Sequence, residues 1–301
     1  MFRKNDLMLL LVIFASMGAG IGFPAVGKVF SPYPFYLMMI LLFFNFLKIE
    51  FSEVIHHAGE TASTLLILCM CKLVIVPVTL FFITQALLPD YALPILLLSG
   101  ISTGVLAPFI SGLLNASTLL ALMMVVITSL LAPFTLPALV KLLLGRTLEI
   151  SFLSMVRVLM MVIFVPAFFA ALLRQWVPSF LRKLEPMQFP VSLVIIACVN
   201  LGVFPKYSSY FTERPAAVVE ALVVAFVLSA ILHVIGFFVT LSKRKEDRLA
   251  GAVSFACMNN VLIIVFSSQF FGPLAPTLAA VYILPFFLMI VPARIAGKLI
   301  R

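Results

Sequence analysis

Ten continuously apolar segments run along the chain, separated by short polar or proline-containing breaks. About 20 apolar residues are enough for a helix to cross the roughly 30 Å hydrocarbon core of a bilayer. The segments lack the alternation of apolar and polar positions that a membrane strand needs. The pattern therefore predicts an all-α integral membrane protein with ten transmembrane helices. The predicted spans are 6–24, 33–48, 62–88, 92–115, 118–143, 150–173, 187–205, 215–241, 249–270 and 274–299.

The same kind of interruption occurs in each half of the chain. In the first half the run Ser99–Gly104 leads into Pro108, and Pro133 follows 25 residues later. In the second half Pro285 follows Asn260, again by 25 residues. Each half would hold five spans, so the second would enter the membrane from the opposite side, as in the inverted repeats of secondary transporters. The two predicted repeats are residues 1–145 and 146–301.

Each half also contains a helix that we expect to be broken. Because Pro108 lacks an N–H, one half-helix should end near Ser102–Gly104 and the next begin at Ala107–Pro108, with Pro108 in its first turn. In the second half Met258-Asn259-Asn260 would mark the break, since Asn side chains replace backbone partners and tolerate left-handed geometry. Two helix N-termini at the membrane centre would favour an anionic group. The alternative is a pair of helices that are only kinked.

Composition and charge support a membrane protein. The chain is 64% hydrophobic and 10% charged, with a mean hydropathy of +1.25, which excludes a soluble globule. The net charge of +9 reflects topology and not a nucleic-acid partner, because thirteen Lys and Arg lie on the side of both termini and five on the other. The five basic residues on the other side are Lys28, Lys141, Arg146, Lys206 and Arg214. We therefore expect an inner (plasma) membrane protein in contact with lipid, with both termini in the cytoplasm.

Motifs for catalysis are missing from the sequence. It contains no His-Glu-x-x-His, no Gly-x-Ser-x-Gly and no paired membrane aspartates. The four cysteines lie inside apolar segments, where small packing residues are the simplest interpretation. We therefore predict a protein that is not an enzyme and has no cofactor and no metal site.

One stretch of the chain runs from Ser99 to Pro137 and reads Ser-Gly-Ile-Ser-Thr-Gly-Val-Leu-Ala-Pro, then Asn115, then Thr-Ser-Leu-Leu-Ala-Pro-Phe-Thr-Leu-Pro. Two others are residues 36–51 and Cys257-Met-Asn-Asn260. These stretches resemble, in turn, the fourth and fifth, the second and the ninth spans of a known family, the bile acid:sodium symporters. The resemblance implies a panel domain (spans 1, 2, 6 and 7) and a core domain (spans 3–5 and 8–10), with spans 4 and 9 crossing. It also implies organic-anion substrates such as bile acids, pantoate or keto acids.

The chain departs from this family at the positions expected to bind sodium. The resemblance implies a glutamate where the chain has Phe255, and Ser-Asn where it has Ala107-Pro108. The serine and threonine implied in the fifth span are Ala121 and Val125. We therefore expect the usual two-sodium site to be absent, although sodium or protons are still the coupling ions considered.

Lys72 lies near the centre of the third predicted span, about 15 Å from either end at 1.5 Å per residue. An ionisable residue at this depth is a functional hypothesis by default. In the family this position is commonly a glutamine that helps to bind sodium. We therefore expect the Lys72 ammonium to substitute for a bound cation beside an anion site. The alternative is a neutral, buried lysine without a functional role.

The sequence as a whole predicts a secondary transporter of a small organic anion that works by alternating access. Two alternatives stay open: a sodium-coupled symporter with relocated ion sites, and a channel or sensor on the same fold that does not transport. Asn45 and Asn200 would present amides from the panel, and residues at the two helix breaks would face the substrate. The predicted substrate-binding residues are Lys72, Asn45, Asn200, Val105, Leu106, Pro108, Met258, Asn259 and Asn260.

Overall fold

The computed structural model describes residues 4–47, 62–145, 150–177, 181, 184, 187–240 and 244–289. Helices account for most of these residues, and the one β pairing among them is an isolated antiparallel bridge. The prediction of an all-helical protein is confirmed. The helices are α1 (Lys4–Gly22), α2 (Pro24–Gly27), α3 (Pro34–Phe46), α4 (Ala62–Met70), a π-helix (Cys71–Ile75), α5 (Val76–Leu87), α6 (Pro89–Gly100), α7 (Ala107–Leu113), α8 (Thr118–Leu144), α9 (Phe152–Trp176), α10 (Gln188–Val203), a 3-10 helix (Phe204–Tyr207), α11 (Ser208–Glu213), α12 (Ala217–Val239), α13 (Lys245–Ala256), α14 (Asn260–Phe270), α15 (Leu274–Val281) and α16 (Ile283–Leu288).

Five helical stretches are long and apolar enough to cross a membrane, judged by length and composition. They are Ser63–Leu87, Thr118–Leu144, Phe152–Trp176, Gln188–Glu213 and Ala217–Val239. Shorter apolar helices of 10–17 residues include Pro34–Phe46 and Asn260–Phe270. The end of the tenth predicted span, residues 290–299, lies outside the described residues. So do the charged segments 1–3, 48–61, 146–149, 182–183, 241–243 and 290–301.

Several helix boundaries follow from the local sequence. Pro34 and Pro89 lie in the first turns of α3 and α6, where a missing N–H has no intrahelical partner to lose. Ser117 and Ser151 cap α8 and α9, each accepting a hydrogen bond from an N–H of the first turn. These caps satisfy donors that lipid could not.

The helices pack as two groups. In the panel group, α10 lies against α1 and α3, and α9 lies against α3. In the core group, formed by α4–α8 and α12–α16, α12 packs on α13 and α15, α5 on α6, and α7 on α8. The groups meet along α8 and α9, and along α14, which contacts α3, α9 and α10.

Small residues let α12 and α13 approach closely inside the core group. A Cβ atom added at Gly251 would lie 2.7 Å from the carbonyl oxygen of Gly236, and one added at Gly236 would overlap the Gly251 carbonyl. Close contact through small residues is how membrane helices associate, because lipid provides no hydrophobic drive. This close packing fixes α13 against α12 in the core group.

Candidate functional site

In the core group, two pairs of consecutive helices are each separated by a short non-helical segment, which we call an interruption. The first interruption separates α6, which ends at Gly100, from α7, which begins at Ala107. Ile101 is extended, with φ −77° and ψ 165°, and Pro108 lies in the first turn of α7. Helix α6 therefore ends two to four residues before the Ser102–Gly104 boundary predicted from the sequence, and α7 begins where Pro108 requires.

The second interruption separates α13, which ends at Ala256, from α14, which begins at Asn260. Asn259 caps α14: its side-chain oxygen accepts a hydrogen bond from the Leu262 N–H at 3.4 Å. The Asn259 backbone is not left-handed, since its φ is −80°. The capping bond agrees with the expectation that an Asn side chain replaces a backbone partner at this break, whereas Asn259 does not adopt the left-handed geometry that asparagine also tolerates.

The two interruptions lie against each other and complete each other's hydrogen bonds. Thr103 and Met258 form an antiparallel bridge. The Gly104 N–H donates to the Cys257 carbonyl at 2.7 Å, and the Asn259 N–H donates to the Ser102 carbonyl at 3.2 Å. A broken helix inside a membrane needs such partners, because an unsatisfied backbone group there is costly. We call residues 101–106 and 257–259 the crossover.

Side chains of the core group complete the crossover. The Thr103 N–H donates to Oγ1 of Thr128 at 2.9 Å, and Oγ1 of Thr103 donates to the Ser254 carbonyl at 2.9 Å. Gly104 has no room for a side chain, since an added Cβ would lie 2.6 Å from the Met258 carbonyl oxygen. The crossover is thus tied to α8 and to α13.

Each helix that runs into the crossover has a terminal carbonyl that accepts a hydrogen bond from another helix. At the end of α6, the Ser99 carbonyl accepts from Nζ of Lys72 at 2.9 Å. At the end of α13, the Ala256 carbonyl accepts from the Tyr282 hydroxyl at 3.0 Å. Both side chains are fully buried. They satisfy carbonyls that have no partner within their own helix.

Lys72 lies in the π-helix Cys71–Ile75, where the Val76 N–H reaches the Cys71 carbonyl five residues back. Pro77 follows in the first turn of α5 and has no N–H for the preceding turn. A π-turn absorbs an irregularity of this kind and is frequent at functional sites. The π-turn changes the direction in which the side chains of this helix point. The Lys72 side chain is fully buried and lies against the C-terminal end of α6.

A cavity of about 170 Å³ separates the crossover from the panel group, and we call it the central cavity. Six of the predicted site residues line it: Asn45, Val105, Leu106, Met258, Asn259 and Asn260. Ser192, which the sequence analysis did not single out, adds a hydroxyl. The rest of the lining is mainly apolar. Leu9, Ile13, Leu41, Phe189, Leu193, Ile196, Ile283 and Phe286 contribute to it.

Three predicted site residues do not line the central cavity. Pro108 lies in α7 and not at the cavity wall. Asn200 is fully buried and donates from Nδ2 to the Ile13 carbonyl (3.2 Å) and to Oγ of Ser16 (3.0 Å), so it joins α10 to α1. Lys72 lies behind the wall, with Nζ 2.9 Å from Sδ of Met258.

Thr128 and Tyr282 are further site residues whose roles sequence reasoning missed. Thr128 stands five residues before Pro133, and Tyr282 stands three residues before Pro285. Both therefore lie near the repeated prolines, and this was the available signal. Their partners are 25 and 26 residues away along the chain, a separation that no local pattern specifies.

Comparison with known proteins identifies a family. The family model for the Sodium Bile acid symporter family matches residues 35–214, more than half of the chain. The matched region contains Lys72 and the first interruption, and it ends before the second. No curated protein matches the sequence. Because the match covers more than half of the chain, this membrane protein belongs to the sodium bile acid symporter family.

Proposed function

We propose that this protein is a secondary transporter that carries a small organic anion across the membrane by alternating access. The observation that carries the proposal is the central cavity, which lies where both interrupted helices meet the panel group. Transporters place their substrates at discontinuous helices between structural repeats. The panel group and the core group would then move against each other around this cavity.

The architecture would be ten spans in two inverted repeats, residues 1–145 and 146–301. Each repeat would contribute one interrupted helix, α6–α7 and α13–α14, and these would cross near the membrane centre. The division into panel and core groups supports this arrangement, because it follows the spans that the family resemblance assigns to each domain. The protein would lie in the inner (plasma) membrane with both termini in the cytoplasm.

The chemistry of the central cavity favours an anion with an apolar body. Asn45, Asn259, Asn260 and Ser192 supply polar groups, and the remaining wall is mainly apolar. The N-terminus of α14 begins at the cavity wall with Asn260, and helix N-termini attract negative charge. At about 170 Å³ the cavity is smaller than the roughly 300–1,000 Å³ typical of drug-sized ligands. Pantoate or a keto acid therefore fits this cavity better than a bile acid.

Lys72 would take the place of a coupling cation. Its ammonium is hydrogen-bonded to the Ser99 carbonyl at the C-terminal end of α6, and such half-helix ends bind sodium in other transporters. At the positions expected to bind sodium, Ala107, Ala121, Val125 and Phe255 are fully buried side chains without oxygen atoms. These observations support transport that does not use the usual two-sodium site.

A channel or sensor on the same fold is the second candidate. It is favoured by the same apolar side chains, since a transporter that lost its ion ligands could also lose coupling. Saturable counterflow of a labelled anion in proteoliposomes would support the transporter. Single-channel currents without counterflow would support a channel.

The first experiment is a thermal-shift screen of organic anions on the purified protein, with sodium or with choline. Anions that stabilise the protein are then tested for counterflow in proteoliposomes. Asn260→Ala should abolish both signals, because Asn260 lines the central cavity. Ser267→Ala on the same helix is the matched control, since Oγ of Ser267 donates to the Ile263 carbonyl of its own helix and Ser267 does not line the central cavity. Counterflow that survives in Asn260→Ala would contradict the proposed site.

A further inference from the structure

A second, larger cavity of about 540 Å³ lies at the opposite ends of the same panel helices. Residues in the first half of α1, at the beginning of α10 and at the end of α3 line the central cavity. Residues in the segment after α1, at the beginning of α3 and at the end of α10 line the second cavity. The two cavities therefore lie toward opposite ends of the panel group.

Helix α14 borders both cavities. Asn260, at its beginning, lines the central cavity, and Ser268, near its end, lines the second. Eight residues at 1.5 Å each separate the two positions by about 12 Å along the helix. The second cavity thus lies on the boundary between panel and core along which a substrate of the proposed transporter would pass.

Two lysines give the second cavity its charge, and we call it the lysine cavity. Lys28 and Lys206 line it, and no Asp or Glu is among its described lining residues. The lining also includes Ser31, Ser268 and Gln269 as hydrogen-bonding groups. A positive cavity with polar groups and no carboxylate among its described lining residues is suited to an anion.

Lys206 makes a bond that an anion could replace. Its ammonium donates to the Ser268 carbonyl and lies 4.8 Å from the centre of the Tyr207 ring. Ser268 is in the last turn of α14, so its carbonyl has no donor within the helix. The Tyr207 hydroxyl donates to the Phe271 carbonyl at 3.3 Å. Both bonds join the end of the panel group to the end of α14.

We propose that the lysine cavity is a second anion-binding site, which takes a carboxylate or sulfonate between Lys28 and Lys206. A bound anion would draw the Lys206 ammonium from the Ser268 carbonyl and so remove this bond between the panel group and α14. The role of this cavity as a loading site for a transported anion depends on the function proposed above. Its ability to bind an anion depends only on Lys28 and Lys206.

The test measures charge selectivity at a cysteine placed in the cavity. Gln269 is exposed and lines the cavity, so Gln269→Cys is the reporter, in a background with Cys71 and Cys198 replaced by Ser. The remaining cysteines, Cys69 and Cys257, are buried. The reporter is treated with sulfonatoethyl or trimethylammonioethyl methanethiosulfonate, which share one thiol chemistry and differ in charge. The ratio of the anionic to the cationic reaction rate reports the local potential.

We expect this ratio to fall at least about fivefold in Lys28→Met and again in Lys206→Met, because each removes one positive charge within the same cavity. Lys206→Arg should keep the ratio, which separates charge from folding. Lys141→Met removes an exposed lysine that does not line the cavity and should leave the ratio unchanged. A ratio that is insensitive to both cavity lysines would overturn the proposal.

Protection of the reporter tests the loading role separately. Millimolar pantoate or a keto acid should slow modification of Gln269→Cys by the uncharged reagent methyl methanethiosulfonate, and Lys206→Met should remove this protection. Equal protection in Lys206→Met would contradict a site that depends on Lys206. The thiol assay needs no transport, so charge selectivity without counterflow would reject the transporter and retain the anion site. Counterflow without charge selectivity would support the transporter and reject the anion site.

Discussion

Nζ of Lys72 lies 2.9 Å from Sδ of Met258, although the two residues are 186 positions apart in the chain. Met258 is part of the crossover and of the central cavity wall, whereas Lys72 is behind that wall. The same ammonium is hydrogen-bonded to the Ser99 carbonyl. One lysine thus contacts the end of α6 and the second interruption. A change in its charge would alter the electrostatic potential at both the crossover and the cavity.

Lys72→Met should weaken anion binding by at least about tenfold, which corresponds to about 1.4 kcal/mol. The reason is the loss of positive charge directly behind the cavity wall. Lys72→Gln keeps a polar group but not the charge, so it should bind anions weakly. Binding is measured by thermal shift against anion concentration, with Lys141→Met as control. Unchanged binding in Lys72→Met would assign Lys72 a structural role only.

Replacement of sodium by choline should change counterflow by less than about twofold. The buried side chains of Ala121, Val125 and Phe255 offer no oxygen ligands to a sodium ion. The measurement is the rate of counterflow at fixed ionic strength. A steep, saturable dependence on sodium would show that the protein forms an ion site at other residues.

Gly104→Ala should destabilise the protein by about 1–3 kcal/mol, the usual effect of overpacking. Its added Cβ would meet the Met258 carbonyl oxygen at 2.6 Å, where backbone on both sides leaves no room to yield. Gly18→Ala is the control, since nothing lies within 4 Å of its added Cβ. Thermal unfolding in detergent distinguishes the two. Equal stability of the variants would mean that the crossover is not packed this closely.

Tyr282→Phe should destabilise the protein by about 1–3 kcal/mol, because it leaves the buried Ala256 carbonyl without a donor. The exposed Tyr36 provides a matched control: Tyr36→Phe removes a hydroxyl with no described hydrogen bond and should have almost no effect. The comparison uses the midpoints of thermal unfolding. If both substitutions had the same small effect, the hydroxyl of Tyr282 would not be needed to cap α13.

Asn45 and Asn200 should behave differently, although the sequence analysis expected both of them at the substrate. Asn45→Ala should weaken anion binding with little change in stability, because Asn45 lines the central cavity. Asn200→Ala should lower stability and leave the anion affinity of the folded protein unchanged, because its amide joins α10 to α1. Affinity is measured on the folded fraction of each variant. Loss of affinity in Asn200→Ala at normal stability would return Asn200 to the substrate site.

The sequence analysis identified the helical class and the two segments where helices end and restart, but it did not show which of the predicted site residues line the central cavity. Pro108 marked the start of α7 because a residue without an N–H belongs in a first turn. Asn259 marked the second break because its side chain replaces a backbone partner, as the sequence analysis expected. Lys72, Pro108 and Asn200 were all expected at the substrate, and none lines the cavity. In membrane helices both the lipid-facing and the protein-facing sides are apolar, so hydrophobic periodicity does not show which way a residue points.

The amino-acid sequence by itself determined the helical class and the places, at Pro108 and Asn259, where two helices begin, because apolar length, proline and asparagine act over a few neighbouring residues. The family was also visible in short stretches such as Ser99–Pro137. Only the tertiary structure decided that Thr103 pairs with Met258, that Lys72 caps α6 from behind the cavity, and that Tyr282 caps α13. These contacts join different helices, and the packing of the whole helical bundle brings their atoms within hydrogen-bonding distance.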